Sequence, residues 1–129
     1  MKIDIIATKN APLAIGPYSQ AVKFDNFVFA SGQLGIDPQT AALVNGNVED
    51  QTVQAFKNII SILRESDSSI DNVIKMTIYI KNLDHFDIVN NVCKQYFRHH
   101  FPARCCIEVS RLPKEAEIEI DVISFCDNG

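Results

Sequence analysis

The chain is short of positive charge. Its 12 lysines and arginines stand against 16 aspartates and glutamates, a net charge of −4 with the three histidines neutral. Such a balance offers no basic field to gather a phosphate backbone, so nucleic acid is not expected as the partner. Long apolar runs are missing too. No stretch approaches the ~20 residues that cross a bilayer, and the first ten residues, MKIDIIATKN, lack the apolar core of a signal peptide. We therefore expect no membrane association and read the chain as cytoplasmic.

Cysteine is sparse. Cys93, Cys105, Cys106 and Cys126 show neither CxxC spacing nor the density of a secreted disulfide scaffold. They are expected to be free thiols. Cys105 and Cys106 are neighbours on a probable strand and point to opposite faces, which suits packing better than shared metal ligation or a vicinal disulfide. His85, His99 and His100 do not supply the three or four convergent ligands of a metal site, so no metal is expected. Repeats, low-complexity segments and linkers are absent. With 47% of its residues apolar, the chain reads as a single domain over residues 1–129 with a sizeable core.

What is present alternates between strand and helix patterns. Residues 2–7 form a short strand candidate, and 19–24 with 27–30 flank Asp25 and Asn26 as a hairpin. Residues 36–47, with Pro38 and Gly46, read as a loop. Val53, Phe56, Ile59, Ile60 and Leu63 then recur at helical spacing over 48–65, leaving Glu49, Gln51, Lys57 and Arg64 free to face water. The segment 73–80, VIKMTIYI, is a strand by its β-branched alternation. Asp84 is placed to cap a second helix carrying Phe86, Val89, Cys93 and Tyr96 or Phe97, which Pro102 stops. The order βββαβαββ predicts an α+β fold, a single mixed sheet with two helices on one face. The other face stays bare. Residues 27–30 carry apolar groups on both sides, and Ile123 and Phe125 share the parity of Glu119, so that face is expected to mediate self-association.

The chemistry concentrates in residues 101–120, FPARCCIEVSRLPKEAEIEI. Arg104, Cys106 and Glu108 fall on one face of a strand, and Glu117, Glu119 and Asp121 on one face of the next. If the two strands close as a hairpin near Arg111 and Leu112, Arg104 lies opposite Glu119. Two readings stand. The guanidinium grips a ligand carboxylate while Glu119 handles a water, or the two form a cross-strand ion pair worth under ~1 kcal/mol.

Three separated segments carry a family resemblance: residues 14–21 (AIGPYSQA), Ser31–Gly32–Gln33, and Pro102–Ala103–Arg104 followed by Ile118–Glu119–Ile120. In these the sequence resembles the reactive-intermediate deaminase family RidA, also called YjgF, over nearly its whole length. The resemblance implies a chorismate-mutase-like protomer assembled as a homotrimer with ligand clefts between subunits. It also implies hydrolysis of 2-imino acids, such as 2-iminobutanoate and 2-iminopropanoate, to 2-keto acids and ammonia without a cofactor. By position, Arg104 would bind the substrate carboxylate and Glu119 would handle the water. Tyr18, Ser31, Gly32, Asn90 and Cys106 would line the cleft. Cys105 stands where the family often has serine, and Arg98, His99 and His100 form a short connection that would shape the cleft mouth. The alternative is a trimer that binds 2-keto acids without turnover, which Glu119 argues against, since a second negative charge weakens carboxylate binding. A nuclease would need a basic groove that this chain lacks.

Overall fold

Alternation of buried and open side chains sets the sheet. In the computed structural model, which describes residues 2–127, the elements are β1 (Ile3–Ile6), β2 (Ala21–Phe24), β3 (Phe27–Leu34), β4 (Ile36–Asp37), β5 (Ala42–Leu43), α1 (Val48–Glu65), β6 (Val73–Ile80), α2 (Phe86–Tyr96), β7 (Ala103–Glu108) and β8 (Ile118–Phe125). Six strands make one mixed sheet in the order β1-β2-β3-β8-β6-β7. The expected α+β architecture is there. The segment read as a loop adds a two-stranded ribbon, β4 with β5.

The C-terminal strand takes the centre. Ile118, Ile120, Val122 and Ser124 of β8 are at most 1% exposed on one side, and β8 runs antiparallel to both β3 and β6. The hairpin expected between residues 104 and 119 does not form. β6 and β7 are instead parallel neighbours, with α2 as the crossover that parallel pairing demands. β6 therefore lies between β7 and β8. The connection from β7 to β8 includes a short turn, Pro113–Glu115, in which Lys114 and Glu115 adopt left-handed φ values of 58° and 57°.

Both helices cover the same face. Asn47 Oδ1 accepts from the Glu49 and Asp50 amides, and the acidic first turn of α1 complements its dipole. Phe56, Ile59, Ile62 and Leu63 are fully buried, each burial contributing about 1.5–3 kcal/mol. Val53 and Ile60 sit at the margin of this stripe rather than in it. Gln51, expected in water, is buried: its Oε1 accepts from Glu117 N at 2.8 Å and its Nε2 donates to Asn45 O at 3.3 Å. Two loop segments thereby satisfy a side chain that periodicity alone assigns to solvent.

The second helix also differs at its ends. Asp84 does not cap it: His85 precedes α2 and makes no side-chain capping bond, while Asn82 caps the short turn of residues 83–85 by accepting from Asp84 N at 2.9 Å. The helix stops at Tyr96, well before Pro102, because Phe97 leaves helical geometry and turns into the core. There Tyr96 stacks on Phe56 with ring centroids 4.7 Å apart, and Phe97 meets Phe56 edge-on at 5.8 Å.

The opposite face carries exposed apolar side chains. Phe24, Phe27 and Phe125 align across three strands with Ile3 beside them, and Ile5 and Phe29 form the next row. Contiguous apolar side chains of this kind are uncommon on the surface of a monomer. No helix among the described residues is long and apolar enough to cross a membrane.

One close approach can be tested. Gly35 lies where a Cβ would fall 2.6 Å from Gln51 Cα and 2.7 Å from Gln51 O, at a corner that Asn58 Nδ2 ties down by donating to Leu34 O and Ile36 O. Gly35→Ala should cost about 1–3 kcal/mol in chemical denaturation through overpacking. Gly46→Ala, with nothing within 4 Å of the added carbon, should stay close to wild type; equal stability of both variants would contradict this packing.

Candidate active site in two halves

The first half is built around a break in strand pairing. The register between β3 and β8 shifts between Ala30 and Gln33, and Ser31 and Gly32 occupy the irregularity. Ser31 Oγ donates to Ser19 O at 2.6 Å, and Ser31 N donates to Gln20 O at 2.9 Å. Gln20 then knots the preceding loop, its buried amide bonding Thr8 N, Thr8 O, Ala11 O and Pro12 O. This pinned loop presents Leu13, Ile15 and Tyr18 along a cleft of about 670 Å³ whose wall also holds Ser31, Gly32 and Glu119. Gly32 leaves room for the Glu119 side chain as it is placed. A Cβ there would fall on the Glu119 carboxylate, 2.7 Å from its Cδ.

Glu119 is half-buried, and its carboxylate makes no hydrogen bond or ion pair among the described residues. Burial, and second the charge of Asp121, make it hold its proton more tightly than an ordinary glutamate. Asp121 is itself half-buried. It accepts from Tyr79 Oη at 3.2 Å and from Thr77; burial raises its proton affinity and these two bonds oppose that.

The second half lies at the sheet edge. Arg104 of β7 is exposed, its Nη1 donates to Asn90 Oδ1 of α2 at 2.6 Å, and its guanidinium sits 5.3 Å from the centre of the Phe86 ring. It has no ion-pair partner among the described residues. With Asn90, Cys93, Lys94 and Phe101 it borders a shallow cleft of about 430 Å³. Burial pushes the Cys93 and Cys106 thiols up, and Arg104 offsets part of that. Both therefore stay protonated at neutral pH, which makes Cys106 a poor nucleophile.

Register fixes how the halves relate. Arg104 pairs with Met76, and Met76 with Val122, on the helix-covered side. Glu119 pairs with Tyr79 and Leu34 on the other side. Arg104 and Glu119 thus occupy opposite faces of the sheet, separated by β6, and neither the shared ligand nor the cross-strand ion pair inferred from a hairpin exists within one chain. Of the seven residues singled out in the sequence, Tyr18, Ser31, Gly32 and Glu119 share one cleft. Arg104 and Asn90 share the other, with Cys106 beside them on the face of Arg104. Asp121 and Tyr79 beside Glu119, and Phe86 and Cys93 beside Arg104, were not singled out. Phe86 and Asn90 are four apart on a helix and Asp121 shares Glu119's parity, so both signals were present in the spacing.

Comparison with known proteins identifies the family and the fold. Residues 8–126 match the family described as Endoribonuclease L-PSP. A RutC family protein of Pyrococcus horikoshii is 48% identical over 122 residues, 95% of this chain and 97% of that protein. The 2-iminobutanoate/2-iminopropanoate deaminase of Homo sapiens is 43% identical over 121 residues, 94% of this chain and 88% of that protein. The crystal structure of E. coli TdcF with bound serine superposes with a TM-score of 0.90 at 40% identity, covering 95% of this chain and 98% of that one. The chain belongs to the RidA/YjgF (Endoribonuclease L-PSP) family.

The state of Glu119 has a stability consequence. Its folded-state proton affinity exceeds that of the unfolded chain, so stability is fully present below the ordinary carboxylate range, about 4.3, and is lost as pH rises through the folded value. Glu119→Gln removes that loss. The variant should melt higher than wild type at neutral pH, with the difference closing as pH falls below about 4; a variant less stable at pH 7 would contradict the unpartnered carboxylate.

Proposed function

We propose that the protein hydrolyses 2-imino acids to 2-keto acids and ammonia, in sites that two copies of the chain complete together. The observation that carries this is an unpaired guanidinium and an unpartnered carboxylate, each on a cleft wall, on opposite faces of one sheet. A second copy brought against the bare apolar face would set Arg104 of one subunit against Glu119 of another. A homotrimer, the assembly expected for the family, satisfies that geometry by a head-to-tail ring that closes. Relatives named 2-iminobutanoate/2-iminopropanoate deaminase support the reaction, and serine bound to TdcF supports a small ligand with a carboxylate next to a nitrogen-bearing carbon.

The residues suit each step. A 2-iminium acid is already electrophilic at C2, so positioning does most of the work. Arg104, aimed by Asn90 and Phe86, binds the carboxylate through charge-assisted hydrogen bonds of about 1.5–3 kcal/mol each. Glu119 takes a proton from water as its oxygen adds to C2, giving a carbinolamine. It returns the proton to nitrogen, the C–N bond breaks, and the hydroxyl proton leaves with ammonia as ammonium. Tyr18, Ser31 and Gly32 line the Glu119 side and Asn90 the Arg104 side, with Cys106 beside Arg104 on its strand rather than on the cleft wall. The nuclease activity in the family's description would need a run of cations, and the two clefts offer Lys114 in one and Lys94 with Arg104 in the other.

The test generates 2-iminobutanoate or 2-iminopropanoate in situ and traps what remains with semicarbazide. Wild type should lower the trapped imine. Arg104→Ala should lose both keto-acid binding and turnover, and Glu119→Gln should keep binding while losing about 10²–10⁴-fold in rate. Consumption of no imine would leave a keto-acid-binding trimer, and equal activity in all three proteins would end the assignment of these residues.

A further inference from the structure

Glu119 faces a small polar cluster whose members do not contact the cleft. Tyr79 stands directly across from Glu119 in the β6–β8 ladder, yet its hydroxyl goes diagonally to Asp121 at 3.2 Å. Thr77, the cross-strand partner of Asp121, bonds the same carboxylate. Asp121 thus takes the hydroxyl of Tyr79, the residue across from Glu119, and Glu119 is left without it. The other titratable groups around Glu119 are Cys105 of β7, on the same face, and Lys114 and Tyr18 on the cleft wall. None of them bonds its carboxylate. From β3 the neighbour is Leu34, which is apolar.

We propose that Asp121 is a positioning residue for the reaction, which keeps Glu119 a competent base by placing a fixed negative charge beside it and by withholding Tyr79 and Thr77 from it. This rests on the role of Glu119 proposed above. Two effects act in the same direction. A neighbouring anion disfavours a second anion, and a carboxylate that receives no hydrogen bonds is stabilised less in its charged form. The raised proton affinity of Glu119, to which Asp121 contributes, agrees with this placement. In Asp121→Asn the charge disappears, and an amide oxygen holds the phenol of Tyr79 less strongly than a carboxylate does. Glu119 then becomes a weaker base, and a weaker base removes a proton from water more slowly. Asp121 touches no substrate atom in this scheme, since Glu119 stands between it and the cleft.

The experiment titrates the Glu119 carboxyl by ¹³C NMR of glutamate-labelled protein, its signal identified by loss in Glu119→Gln. The pH dependence of kcat/KM is measured alongside. In Asp121→Asn the Glu119 midpoint and the acidic limb of kcat/KM should both move to lower pH, and the plateau should fall by about two- to tenfold. Asp121→Glu should restore both, and keto-acid binding, which depends on Arg104, should be unchanged in each variant. An unmoved Glu119 midpoint in Asp121→Asn overturns the inference whatever the rate does. Absence of imine hydrolysis in wild type would defeat the proposed function, while the titration would still decide whether Asp121 controls the Glu119 proton.

Discussion

Two helices shield one face of a six-stranded sheet, and the pleat sends every second side chain to the other. On the shielded side Met76, Ile78, Ile80, Ile118, Ile120 and Val122 pack beneath α1 and α2 as the core. The same strands must then place their remaining residues where no helix covers them. Along β8 those are Glu119, Asp121, Ile123 and Phe125, carboxylates at one end and apolar groups at the other. The core on one face and the cleft of Glu119 on the other are two readings of a single alternation. The alternation also explains why Arg104, inward by register and exposed only because β7 is an edge strand, cannot meet Glu119 inside its own chain.

Local patterns were legible in the sequence where neighbours along the chain decide the outcome. The stripe around Phe56 and Leu63 and the alternation of residues 76–80 settle α1 and most of β6 through periodicity, whereas a shift in pairing between Val73 and Lys75 buries Val73 and leaves Ile74 exposed, against the alternation. Pairing between strands was not legible in the same way. Residues 103–108 and 118–125 lie close in sequence and each has strand character, yet the helix before β7 returns that strand parallel to β6 and the buried face of β8 draws it to the middle. The burial of Gln51 escapes helical periodicity because one partner, Glu117 N, comes from 66 residues away and the other, Asn45 O, from the turn that leads into α1. For the candidate site, residue identities came from family motifs, whereas the division into two halves required the register.

The two charged groups are held by contrasting means. Arg104 is braced by an amide and an aromatic ring while its charge keeps no ion-pair partner among the described residues, the arrangement on which the proposed carboxylate binding rests. Glu119 is given space by Gly32 and no donor, which costs stability and keeps the group reactive. Neither arrangement serves the isolated fold. In the composite site proposed above a second copy supplies the other charge to each, and the bare patch of Phe24, Phe27, Phe29 and Phe125 would be the surface for that association.

Mixing two inactive proteins tests this division directly. Arg104→Ala and Glu119→Gln are each purified, unfolded together in equal amounts, refolded, and assayed for imine hydrolysis. If sites lie between copies, random association creates some with both side chains intact, and activity should return to about a quarter of the wild-type level. A mixture as inactive as its components would show that Arg104 and Glu119 do not act together across subunits, and would contradict the composite site.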